Sequence, residues 1–502
     1  MNTDLTGPAS RSRDAVLQDF HSGGGFLFPF RQGYDAMRVI LERAPKEVWR
    51  RDEEFLGALI LYLVKQGQAL RAKSYMTAVD LEFEKTDYST ISELLLALHL
   101  GEPVSEEKLR EWRRLERSLS LSEPLLSGLY FNAMMAMQVR LGHVSEARIA
   151  GQQAISCYRE DGHVYLEHFI HIHLADLDVT EGRLHRAQRG LATAERCLEQ
   201  SGLLFGNERD VIEIIRLAIH YERGAFETVC AKAAYLRNKL ISGDSWSELF
   251  LQLARISVLS TYFLKGSEAA LLDLGEFQAD YARRHIGEAR AMEALRAMIQ
   301  HLEWQSDAAE RTLEHLRTGP MDSSIGAILA RELECAIGLS LDEPGDTPRG
   351  RIVGALHKAR HVRGDARRAI LEDALRIAFD EGQVAPFLEH RDVFLGLSAT
   401  LSRSDRRRHQ GRLGRMTNRV LRMVSDSYVV PSPYRDRGFN RRQYRVAAAL
   451  VSGASNKQIA RQLGTTESTV KYHLTSIYRL AGVNRRVEFI EFANEIELNL
   501  QT

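Results

Sequence analysis

A glycine followed a few residues later by a small side chain recurs along most of this chain, and its spacing limits the possible folds more than any other feature. Gly67/Ala72, Gly142/Ala147 and Gly182/Ala187 carry the pattern, with looser copies at Gly224/Val229 and Gly266/Ala270. The last four glycines are spaced 40, 42 and 42 residues apart. An apolar helical segment precedes each glycine and an alanine-rich one follows it; Gly permits the tight turn between two helices and Ala their close approach. A helix pair of this kind cannot bury its apolar face alone, so consecutive pairs stack into a superhelix with a concave surface. From about residue 34 to 401 the periodicity is helical throughout, without alternating β-branched runs. The expected fold class is therefore all-α, a helical-repeat superhelix.

The stretch from Phe439 to Arg486 has a different organisation. Asn440 with Gln443, and Ser455 with Gln458, are spaced as capping boxes, marking two helix starts within sixteen residues. Thr466-Glu467 opens a third helix, in which Val470, Leu474, Ile477 and Ala481 form one apolar face. At 100° per residue the opposite face carries Ser468, Tyr472, Thr475 and Arg479, with Lys471 at its edge, a set suited to base edges and phosphates.

Charge agrees with this division. Residues 401–502 hold 19 Lys+Arg against 8 Asp+Glu, net +11, leaving 48 against 59, net −11, in residues 1–400. A basic C-terminal module on an acidic body is the footprint of a nucleic-acid binder, although a solvated basic face would look the same by charge alone.

The residues Arg442, Val446, Gly453, Ser455-Asn456-Lys457, Ile459-Ala460, Leu463, Thr466, Thr469-Val470-Lys471, His473-Leu474, Ile477-Tyr478-Arg479 and Gly482-Val483-Asn484 resemble, ungapped, the DNA-binding domain of LuxR-type bacterial regulators. Thr465, Leu480-Ala481 and Arg485 depart from that pattern. The resemblance implies a small helix-turn-helix domain on double-stranded DNA. Lys471, Tyr472 and Thr475 would read bases; Asn456, Lys457, Ser468, Thr469, Arg479 and Arg486 would hold phosphates. A last helix near 486–498, with Phe489, Ile490 and Phe492 as apolar surface, would pair two copies on DNA as a homodimer. Ala44 to Met76 and Ala374 to His390 are similar to the opening and closing segments of the tetratricopeptide-like domain of MalT-type regulators, the large members of the LuxR group. Such regulators carry an ATPase module before this point, and the Met1 start favours a natural short form over a truncation. No Gly-Lys dipeptide, and hence no phosphate-cradling loop of that class, occurs in the chain.

The expected organisation is a flexible tail at 1–33, a tetratricopeptide-like repeat sensor at 34–401, a basic linker at 402–438 and the helix-turn-helix at 439–502. Arg403, Arg406, Arg407, Arg408 and Arg412 are expected on a solvated linker helix. Cys157, Cys197, Cys230 and Cys335 are scattered without C-x-x-C pairing and read as reduced structural thiols. His163, His168, His171 and His173 crowd one segment near Asp176 and Asp178, but a third ligand at fixed spacing is missing, so they read as packing or hydrogen-bonded residues and no metal is expected. Met134, Met135 and Met137 read as repeat core. The longest uncharged run, Pro124 to Val139, is 16 residues, short of a membrane span, and no secretory start is present.

Nothing resembles a hydrolase motif, so no enzymatic activity and no cofactor are expected. The reading is a cytoplasmic, sequence-specific transcriptional regulator, activation expected over repression and RNA polymerase a partner if so. Its repeats, around Phe131 to His220, would sense a small molecule or peptide. The competing reading is a repeat adaptor that chiefly binds a protein partner, with DNA contact secondary.

Overall fold

The computed structural model describes residues 8–45, 48–79, 86–117, 119, 123–202, 208–242, 247–285, 290–319, 323–338, 345–398 and 412–501. Every regular element among them is helical. The repeats pair as Glu53–Lys65 with Ala69–Val79, Pro124–Arg140 with Val144–Asp161, Val164–Thr180 with Leu184–Ser201, Glu208–Glu222 with Phe226–Ser242, and Ser247–Lys265 with Ser267–Arg284. A further pair, Arg290–Leu302 with Ser306–Leu316, follows.

The glycines do what their spacing implies. Gly67, Gly142, Gly182 and Gly224 all have φ between 70° and 81°, and the next residue donates its N–H back across the turn, as in His143 N to Gln138 O (2.9 Å) and Arg183 N to Asp178 O (2.7 Å). That left-handed residue lets the final carbonyls of the first helix be satisfied before the second begins. The partner residues Ala72, Ala147, Ala187, Val229 and Ala270 are fully buried in the helix–helix seam. The sixth pair makes the same turn, Gln305 N to Gln300 O at 2.9 Å, but its left-handed position is held by Trp304 at φ 66°. A non-glycine residue there costs about 1–2 kcal/mol, so something outside the turn must hold it.

The superhelix closes on itself. Its first helices form an inner layer, and every residue from Ser247 to Phe263 is buried. The N-terminal pairs reach across to later ones: Lys65 Nζ lies 3.3 Å from Glu208, and Ser247 Oγ donates to Leu98 O at 3.2 Å. From the other end, Val384 N donates to Glu222 O (2.7 Å) and Arg349 N to Glu181 O (3.1 Å). Around them lies a buried ionic network in which Arg349 bonds Glu222, Glu332 (2.8 Å) and Glu389, while Arg255 bonds Glu222 (2.7 Å). Burial alone would raise the Glu389 carboxyl, but Arg349 and Arg255 hold it down at about 2. The closing segment of the same chain thus packs on the ends of Val164–Thr180 and Glu208–Glu222, at Glu181 and Glu222.

Two boundaries differ from the sequence reading. The N-terminal stretch is not a loose lead-in: Pro8–Ser22, Phe28–Arg31 and Tyr34–Arg43 are helical, and Phe20, Phe26 and Phe28 are buried, Phe20 and Phe28 packing with Met37, Ile40 and Phe55. Its apolar residues are few but aromatic, and burying them offsets the entropy of ordering a glycine-rich turn. The stretch after residue 411 is not a linker either. Helix Arg412–Asp426 buries Val420 and Val424 against the repeats, and Tyr434 joins the core of the C-terminal module. Arg403, Arg406, Arg407 and Arg408 lie outside the described residues.

Candidate nucleic-acid interface

Four helices build the C-terminal module: Arg441–Val451, Asn456–Gln462, Glu467–Ala481 and Arg486–Gln501. Their starts are set locally. Asn440 and Gln443 form a reciprocal capping box, as do Ser455 and Gln458, and the Thr466 side chain accepts from Thr469 N (3.2 Å). Gly464, at φ 61°, makes the turn between the second and third helices. Val470, Leu474 and Ile477 are buried against Val446, Leu450, Ile459 and Phe489, which fixes the rotation of the third helix.

That rotation turns Lys471, Tyr472 and Thr475 outward; Tyr472 is 73% exposed, unusual for an aromatic side chain with a core available beside it. Thr475 Oγ1 donates to Lys471 O (3.1 Å), and the side chain stays exposed. Lys457 and Ser468 are exposed and Asn456 and Thr469 half-buried, all four in the first turns of the second and third helices, where N–H groups and the helix dipole favour anions. Ser468 and Thr469 hydroxyls already bond Thr466 Oγ1 at 2.8 and 2.9 Å. Arg479 is exposed near the other end of the same helix.

Three expected residues are placed differently. Arg486 Nη2 donates to Leu450 O (3.2 Å) and Ala454 O (2.8 Å), so this guanidinium clamps the last helix onto the turn after the first instead of facing outward. Phe489 is fully buried and Phe492 lies against Tyr434 and Arg437, which leaves Val487, 65% exposed, and half-buried Ile490 as the outward apolar side chains near the start of that helix.

Residues 438–493 match the family model of bacterial regulatory proteins, luxR family. This C-terminal module is a LuxR-type helix-turn-helix domain. Further similarity runs to the HTH-type transcriptional regulator MalT of Vibrio campbellii, 25% identical over 215 residues, which are 39% of this chain and 23% of that protein. The protein of the same name from Vibrio parahaemolyticus is 27% identical over 168 residues, 30% of this chain and 19% of the relative. The matches therefore span under a quarter of these curated relatives. No solved structure matches the chain.

The LuxR-type module is docked on the repeats by contacts that sequence reasoning missed. Tyr428 is buried beneath two guanidiniums, Arg391 from the repeat side at 3.9 Å from its ring centroid and Arg445 from the module at 4.6 Å. Arg391 also donates to Ser427 O (2.7 Å), Tyr262 Oη (2.5 Å) and Leu302 O (2.9 Å). Glu303 accepts from Tyr262 (2.5 Å) and from Tyr444 of the module's first helix. Trp304 packs on the module core, which explains its left-handed backbone. Docking uses the first helix and also the second, Asn456–Gln462, which packs on helix Arg391–Ser398, and leaves Lys471, Tyr472 and Thr475 exposed.

The histidine segment folds into the repeat core. His168 is buried and hydrogen-bonded to Tyr165 O, and burial lowers its pKa to about 4. The third ligand not visible in sequence is Cys197 of the next helix: its sulfur, a Glu167 oxygen and a His171 nitrogen lie within 4.8 Å of one another. Glu167 Oε1, however, already accepts from Arg159 (2.5 and 3.1 Å) and pairs with His171 Nε2 (3.1 Å), so a guanidinium holds the place a metal cation would take. Among the described residues no helix is long and apolar enough to cross a membrane, and Met134, Met135 and Met137 are buried in the core.

Proposed function

We propose that the chain is a transcriptional regulator that reads a specific double-stranded DNA sequence through helix Glu467–Ala481. The carrying observation is the outward set Lys471, Tyr472 and Thr475 on a helix whose opposite face is buried, within a LuxR-type module. In this reading those three contact base edges in the major groove, while Asn456, Lys457, Ser468, Thr469 and Arg479 position the backbone. Two copies bind symmetric half-sites through the last helix. The repeats sense a small molecule or peptide and shift the population of DNA-competent states, activation with RNA polymerase being favoured over repression; the protein works in the cytoplasm without enzymatic activity. The similarity to the HTH-type transcriptional regulators of the two Vibrio species supports the regulatory reading.

Base contacts discriminate by about 1–3 kcal/mol each, whereas losing a phosphate contact weakens all sequences alike and lowers the salt slope by about one. Tyr472→Ala and Thr475→Ala are therefore expected to erode the preference for operator over scrambled duplex, and Lys457→Ala to weaken both equally. Titrations of each variant over a salt series test this; equal loss on both duplexes for Tyr472→Ala would overturn the assignment of the reading face.

A further inference from the structure

The stretch that joins the repeats to the LuxR-type module carries a charge opposite to that of the body it lies on. Helix Arg412–Asp426 has four arginines and a single acidic residue, in a protein whose first 400 residues hold 48 Lys+Arg against 59 Asp+Glu. The fold sorts them to one side: Met416, Val420 and Val424 are buried, whereas Arg415, Arg419, Arg422 and Asp426 are exposed. At 3.6 residues per turn Arg415, Arg422 and Asp426 fall within about 40° of one another, so they form an outward row along the helix.

Two of these cations are uncommitted. Arg419 Nη2 donates to Arg223 O (2.8 Å), but Arg415 and Arg422 have no carboxylate or carbonyl partner among the described residues. Surface ion pairs with the acidic body would be the ordinary use of such a row; here both guanidiniums face solvent. The row leads to the reading helix. Asp426 Oδ1, at its end, lies 3.6 Å from Arg441 Nη1 at the start of the module's first helix, so the one acid in the row is answered by a further arginine. Beside Arg441, Gln443 Nε2 donates to Ser476 Oγ (2.8 Å), the neighbour of Thr475. Burial and then the exposed Arg442 guanidinium lower the pKa of His473, the neighbour of Tyr472. Residues 441–443 therefore bridge the outward row to the helix that carries Lys471, Tyr472 and Thr475.

We infer that Arg415 and Arg422 bind the phosphate backbone of the duplex flanking the sequence that the reading helix occupies, so that the protein holds more DNA than its LuxR-type module covers. The inference rests on the reading-helix assignment and extends it outward. Arg415 precedes Asp426 by 11 residues, about 16 Å of helix at 1.5 Å per residue, or roughly five base pairs at 3.4 Å each. Guanidiniums on phosphates position a protein without reading sequence. Helix Arg412–Asp426 packs on the repeats through Val420 and Val424, so this contact also fixes where the repeat array lies along the duplex.

Salt dependence tests it. The full chain is titrated against the site it selects from a random-sequence duplex pool, in one duplex that ends where the sequence preference ends and in another about ten base pairs longer at each end, twice the reach of the row. Each phosphate contact contributes about 0.9 to the slope of log K against log salt. Arg415→Gln/Arg422→Gln is expected to lower that slope by about two per bound copy on the long duplex and to leave it unchanged on the short one. The native-to-variant affinity ratio on the long duplex then falls about tenfold per copy between about 50 and 200 mM salt. Arg415→Lys/Arg422→Lys, which keeps the charge, should restore the native slope. No change on the long duplex, or an equal fall on both, overturns the proposal. Should the glutamine variant not fold, as judged by circular dichroism, hydroxyl-radical footprints of the native chain decide: protection reaching about five base pairs past the preferred sequence supports the contact, and protection ending with that sequence overturns it. The reading helix is scored separately on the short duplex, by whether Tyr472→Ala changes the preference for the selected over a scrambled sequence, so the two failures are distinguishable.

Discussion

Trp304→Gly separates the two roles that the junction assigns to one residue. In the sixth repeat turn Trp304 occupies the left-handed position that glycine holds in four others, at φ 66°. Replacement by glycine removes about 1–2 kcal/mol of backbone strain and returns roughly 1 kcal/mol as unfolded-state entropy, so the repeat itself should stay within about 1 kcal/mol of native stability. The indole, however, is half-buried on the core of the LuxR-type module. Full truncation of a buried Trp costs about 3–5 kcal/mol, and half of that, about 2 kcal/mol, corresponds to roughly a thirtyfold rise in the undocked population. Tyr428, 1% exposed beneath Arg391 and Arg445, reports it. Hydroxyl-radical footprinting should show its oxidation rising about thirtyfold, while amide exchange in helix Arg290–Leu302 is unchanged or slower. Faster exchange in that helix with Tyr428 still protected would refute the reasoning, because Trp304 would then serve the repeat and not the junction.

Two further outcomes follow from buried and exposed groups. Burial raises the Glu248 carboxyl from 4.5 to about 8, so folding must protonate it at neutral pH, and its contribution to stability falls as pH rises from about 4.5 to about 8. Glu248→Gln should stabilise the chain by about 3 kcal/mol at pH 7 and by almost nothing at pH 4.5; an equal shift of the urea midpoint at both pH values would contradict this. Val487→Asp, at an outward apolar position of the last helix, should convert paired half-site protection to independent single half-sites in footprints, and unchanged cooperativity would remove that helix from the dimer contact.

What the sequence disclosed was local, and what it hid was distant. The boxes at Asn440/Gln443 and Ser455/Gln458 were legible because each bond spans three residues, and the repeat turns because only a left-handed glycine closes them so tightly. The same rule concealed the sixth pair: its left-handed residue is a tryptophan, retained for a contact on a module more than a hundred residues away. Arg349 meets Glu222 from 127 residues on, and periodicity says nothing about such a partner. Periodicity likewise finds an apolar face without saying what covers it, which is why Phe489 looked like dimer surface while it fills the module's own core and Arg486 looked like a phosphate ligand while it caps Leu450 and Ala454. The N-terminal stretch reads as a flexible tail because nothing in its sequence shows what its phenylalanines meet; Phe20 and Phe28 pack with Met37, Ile40 and Phe55, and Phe26 joins the main core of the repeats. The segment that reads as a flexible tail therefore covers an apolar face of the first repeat helix, Glu53–Lys65, which periodicity finds without its partner.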